Sequence, residues 1–165
     1  MKLASGTAPV PALLQAGVGV SIGTDGPASN NDVDMFAEMS SVAKVHKVVA
    51  MEPTVMDAET TLRCATLSGA EALGVETTLG TLEPGKKADL IVLDLDQPHL
   101  VPLYNLPSHL IYAARGADVI HSMINGRLVM KRRKLLSMDE QMILARMKEI
   151  GSKVVRIREE AAASR

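Results

Sequence analysis

Asp25 is the residue in this chain best placed to do chemistry. It follows VGVSIGT, an apolar run of small and β-branched residues that leads straight into TDG. A carboxylate at the C-terminal end of a buried parallel strand stands where α/β and barrel enzymes build their sites. Gly23 and Gly26 lie on either side and let backbone and ligand approach closely. Thr24 and Ser29 add hydroxyls, and Asn30 and Asn31 can orient them. Divalent cations take a carboxylate oxygen at about 2.0–2.2 Å, and such a ligand can also accept a proton from bound water. Asp-Gly is equally a common turn pair, so a simple strand-to-helix cap remains open for Asp25 at this level.

The other reactive side chains read as structural. His46 falls on one helical face with Met35, Met39 and Val42, as a packing or surface histidine does. His109, in Pro-Ser-His-Leu, reads as a structural hydrogen bond, with a pocket or subunit contact as the other option. Cys64, mid-helix, reads as an inert buried thiol. Lys131, Arg132, Arg133 and Lys134 form a basic run that reads as a solvated turn. Gly85-Lys86-Lys87 lacks the surrounding spacing of a phosphate loop.

The elements that must position these residues can be followed along the chain. PVPALLQAG (9–17) predicts a short helix with Gly17 just past its end, and residues 18–23 predict a buried strand. Ser29 and Asp32 have capping-box spacing, with Asn31 as an alternative cap, ahead of a helix running to residue 49. Glu52-Pro53 breaks it. Asp57 caps the next helix, whose face Leu62, Ala65, Gly69 and Leu73 ends at Gly74, with Gly69 marking a close contact.

From about residue 78 the pattern turns strand-like. A Pro84-Gly85 turn precedes a strand over 90–95, and a short helix over 108–114 is closed by Gly116. Asn125-Gly126 between two apolar runs is the signal of a type I′ hairpin. A second capping box, Ser137 to Glu140, opens a helix carrying Ile143, Met147, Ile150, Val154 and Ile157. That seam calls for a partner surface. The expected organisation is three parts: 1–77, 78–136 and 137–165.

Composition narrows the classes of function. Of 165 residues, 47% are hydrophobic and 22% charged, as in ordinary globular proteins. A net charge of −1 with 2% aromatics supports neither a nucleic-acid surface nor an anionic-membrane one. No apolar run reaches the roughly 20 residues of a membrane span, and Pro9 and Pro11 interrupt any signal-peptide core. The single cysteine excludes an internal disulfide, which fits a cytoplasmic protein.

MKLASGTAPVPALLQAGVGVSIGTDGPASNNDVDMFAEM, ATLSGAEALG, GTLEPGKKADLIVLDLD, HLVPLYNLPSHLIYAARGADV and INGRLV together resemble the amidohydrolase superfamily. The resemblance is to its 5-methylthioadenosine/S-adenosylhomocysteine deaminase branch and covers the chain to about Met130. It implies an α/β fold: the last strand and helices of a metal-dependent (β/α)₈ barrel plus part of a small β-sandwich. By the same resemblance Asp25 ends the eighth barrel strand, ligates zinc or another divalent metal, and shares in proton transfer. Lys2, Leu3, Ala4 and Ser5 match the segment after the seventh strand, beside the substrate pocket; Ser5 from that segment, and Ser29 and Asn30 beside Asp25, are weaker candidates for the pocket.

One departure limits this reading. The family's His-x-His pair, its later histidines and its proton-shuttling glutamate are missing. His46, His99, His109 and His121 all follow Asp25, in segments that match helix eight or the sandwich. A full barrel takes about 250 residues. The expectation is therefore the C-terminal portion of a deaminase acting on a small adenine-type nucleoside, inactive alone. Its partner would be a missing N-terminal barrel portion or a second subunit. Met1 falls inside a family motif, so an internal methionine read as a start is the expected history. The alternatives are a non-catalytic remnant or interaction module, or the tail of an amidohydrolase for guanine, triazine or chloro-substituted rings.

Overall fold

A computed structural model describes residues 3–163, so Lys2 lies outside the described residues. Four helices come first: α1 (Val10–Gln15), α2 (Met35–Ala50), α3 (Ala58–Ala65) and α4 (Leu67–Ala72). Strand β1 (Leu90–Leu93), helix α5 (Leu106–Tyr112) and a 3₁₀ turn (Gly116–Asp118) follow. The chain then runs through β2 (Val119–Ile124), β3 (Arg127–Lys131) and β4 (Lys134–Leu135) into α6 (Glu140–Ala163). This is a mixed α/β arrangement whose sheet is not closed into a barrel. The four strands pair in the order β1-β2-β3-β4, all antiparallel.

Residues 18–23, expected as a strand, pair with no other strand among the described residues. A strand exists by its ladder, and here the backbone ties are Val18 N–H donating to the Leu13 carbonyl at 2.9 Å and Ile22 N–H donating to the Cys64 carbonyl at 3.0 Å. Val18 is 48% exposed, whereas a parallel strand is covered on both faces.

Helix α2 starts later than the capping-box spacing predicts. Asp34 is its N-cap, accepting from Phe36 N–H at 2.8 Å, because the Ser29 hydroxyl is turned toward Asp25 instead. The second Asp34 oxygen accepts from Gly116 N–H at 3.0 Å, 82 residues away. A Cβ at Gly116 would lie 2.9 Å from that oxygen, so the join requires glycine. Gly116 thus opens the 3₁₀ turn rather than closing α5, which begins two residues before the predicted start and is capped by Asn105.

The helix predicted from Asp57 to Gly74 is two helices. Thr66 breaks it at φ −129°, ψ −92°, with its hydroxyl donating to the Leu62 carbonyl at 2.8 Å. The buried positions are Thr61, Cys64 and Ala70; of the predicted face, Leu62 and Ala65 pack against the main core, while Leu73 is 79% exposed. The Asp57 cap stands, accepting from Thr60 N–H at 2.7 Å. Gly69 does approach a neighbour: a Cβ there would meet the Ser21 Cβ at 3.9 Å.

Asn125 (φ 49°) and Gly126 (φ 75°) form the expected hairpin turn. The basic run makes a second turn, with Arg132 and Arg133 also at positive φ. Arg133 is anchored rather than merely solvated: its guanidinium donates to the carbonyls of Gly116 at 2.9 Å and Val119 at 3.1 Å. One core cluster joins Phe36, Met39 and Ala43 of α2 to Leu100, Ile111, Ala114 and Val119. A smaller one holds Val10, Met56 and Cys64. Helix α6 opens at Asp139, whose side chain accepts from Met142 N–H, in place of the predicted Ser137.

Candidate functional site

The loop from Gly23 to Asn30 builds a fixed carboxylate from its own atoms. Asp25 sits at φ 57°, a left-handed conformation that a short polar side chain tolerates by bonding locally. Its Oδ1 accepts from Gly26 N–H at 2.7 Å and its Oδ2 from the Ser29 hydroxyl at 2.5 Å. These two bonds, Ser29 first, hold the carboxyl below its ordinary pKa, so it is ionised at neutral pH. Asn30 spends its amide hydrogens on the Thr24 carbonyl (3.0 Å) and Glu38 Oε1 (2.5 Å), tying the loop to α2.

Asp25 lies on the wall of an open cavity of about 520 Å³, with Ser5, Ser29 and Asn30 on the same lining. The sequence candidates thus come together at one place. The lining also includes Asp32, Glu38 and His46, which sequence reasoning left aside. Glu38, Val42 and His46 recur at intervals of four on α2, a spacing that puts them on one face, and that was the available signal. His46 is buried in the packing of α2, as expected, and desolvation lowers its pKa.

Among the described residues no group of three or more His, Cys, Asp or Glu side chains is arranged to hold a metal ion. The other histidines are tied down elsewhere. His99 Nε2 meets Asp118 Oδ2 at 3.0 Å, and the His109 ring lies between the carbonyls of Asn105 and Pro102. His121 Nδ1 accepts from Arg132 N–H at 3.3 Å. Burial pushes the Cys64 thiol up against the weaker opposite pull of Arg63, which keeps it a poor nucleophile.

Comparison with known proteins adds four findings. The model of the amidohydrolase family matches residues 1–129. The 5-methylthioadenosine/S-adenosylhomocysteine deaminase of Syntrophobacter fumaroxidans is 56% identical over 151 residues, 92% of this chain and 34% of that protein. The 5′-deoxyadenosine deaminase of Methanosarcina mazei is 45% identical over 94% of this chain and 35% of its own length. The solved structure of a Xanthomonas campestris adenosine deaminase with bound zinc superposes with a TM-score of 0.90 at 44% identity, covering 94% of this chain and 35% of that one. This chain spans about a third of the length of the curated relatives it matches.

Proposed function

The chain belongs to the amidohydrolase family, and from that premise we propose that it supplies the eighth-strand aspartate and C-terminal part of a metal-dependent deaminase of adenine-type nucleosides. The observation that carries this is Asp25: an ionised carboxylate, pre-set by Gly26 and Ser29, on the wall of a cavity. The 56% identity to a 5-methylthioadenosine/S-adenosylhomocysteine deaminase supports the substrate class. A cavity of about 520 Å³ is in the range of small-molecule sites.

Zinc does not fit the described residues alone, because a zinc site takes three or four protein ligands and Asp25 offers one. The remaining donors belong to the two thirds of the relatives that this chain does not span. Within this chain, Asp25 offers a donor oxygen and a place to hold a proton, Ser29 orients Oδ2, and Asn30 with Glu38 keeps the loop from swinging away. Ser5, from the segment before α1, lines the same cavity and contributes a hydroxyl to its wall.

The test is reconstitution. The remaining portion of the Syntrophobacter fumaroxidans deaminase would be produced together with this chain, and ammonia release from 5′-methylthioadenosine measured. The chain alone should release none and the pair should be active. Asp25→Asn should cost more than the roughly 10–100-fold typical of losing an outer partner of a metal ligand. Undiminished activity in Asp25→Asn would remove Asp25 from the chemistry.

A further inference from the structure

Helix α6 buries none of its 24 residues, yet it carries an ordered apolar seam. Ile143, Met147, Ile150, Val154 and Ile157 follow one another at four, three, four and three residues. That period lines them up along roughly four turns. All five are between 39% and 60% exposed. Five of the helix's charged residues pair along it: Arg146 with Glu149 at 2.5 Å, Lys153 with Glu149 at 3.0 Å, and Arg156 with Glu160 at 3.8 Å. The five exposed aliphatic side chains of this seam suit an apolar protein surface.

A second observation says where that surface lies. The superposition on the Xanthomonas campestris enzyme covers 94% of this chain, leaving out about ten residues of 165, fewer than half of the 24 in α6. Most of α6 therefore falls within the shared arrangement, although nothing in this chain buries it. The match covers 35% of that protein. The surface available to cover a helix kept in the same place is the other two thirds of that protein.

We propose that the α6 seam docks against a polypeptide equivalent to the two thirds of the deaminase relatives that this chain does not span. The inference rests on the reading of this chain as part of a deaminase. It goes further by naming the surface through which the parts join.

The probe is again the remaining portion of the Syntrophobacter fumaroxidans deaminase, mixed with this chain. Mass measurement in solution should show a one-to-one complex, and hydrogen exchange should slow along α6. Ile150→Glu with Val154→Glu should weaken the complex at least tenfold, and Lys148→Glu, off the seam, should not. Equal binding by the double variant would overturn the proposal. So would a homodimer of this chain, held by the seam, that the added portion fails to displace. If the separate portion does not fold, a single-chain fusion of both parts keeps the test decisive. Slowed exchange of α6 at every dilution supports docking, and exchange as fast as in the isolated chain overturns it. A complex that protects α6 but releases no ammonia would keep the docking and remove the deaminase reading.

Discussion

At Asp25, backbone and side chain are stabilised by the same few residues. The left-handed φ of 57° brings Oδ1 onto the next N–H, and Ser29 closes the other side. Because the Ser29 bond is the larger cause of the lowered pKa, Ser29→Ala should raise the Asp25 pKa toward the ordinary carboxylate range. A carboxyl carbon NMR titration reads this directly, and an unmoved midpoint would show the hydroxyl to be idle. Gly116 offers a second residue-scale test. A methyl group there would meet Asp34 at 2.9 Å, so Gly116→Ala should destabilise by about 1–3 kcal/mol in urea unfolding.

Among the elements, the two hairpin turns make a natural comparison. Asn125-Gly126 has the residues that a type I′ turn favours, while Arg132 and Arg133 hold similar positive φ angles with side chains that resist them. Arg132→Gly should relieve strain and stabilise by up to about 1 kcal/mol. Arg133→Gly relieves similar strain but forfeits the bonds to the Gly116 and Val119 carbonyls, so it should gain less or lose. Equal gains in melting experiments on the two variants would show that the anchor contributes nothing. Helix breaks follow the same logic: Thr66 sits inside an otherwise regular pattern and is turned by its contacts, not its propensity.

For the molecule as a whole, pH is a probe of how these parts hold together. Burial works against the charge on Asp118, but hydrogen bonds from His99 and from Arg115 N–H outweigh it and lower its pKa. A carboxylate with a depressed folded pKa contributes stability above its unfolded pKa and loses it as pH falls through the folded one. Asp57, held by Thr60, has the same sign. His46, lowered by desolvation, is favoured neutral, so its contribution fades as pH drops below its unfolded pKa. Stability should therefore decline on acidification, and Asp118→Asn should flatten the part of that decline below about pH 4. Urea unfolding at pH 7, 5 and 3 for both proteins checks it.

The sequence by itself determined the features whose causes lie within a few residues. These are the Gly17 helix end, the Asp57 cap, the Pro84-Gly85 and Asn125-Gly126 turns, and the periodic seam of α6. Family motifs reach further because they carry an inherited arrangement, which is how Asp25 could be read as a candidate site residue; the structure puts it on one cavity wall with Ser5, Ser29 and Asn30. Only the tertiary structure decided the rest. It left Asp34 as the α2 cap with its second oxygen joined to Gly116, while Ser29 turned to Asp25, and it broke the helix at Thr66. It brought Glu38 and His46 to the cavity of Asp25, and it left residues 18–23 without a ladder. Each of these depends on a partner distant in the chain, or on a neighbour that the described residues do not supply, and local spacing holds no information about either.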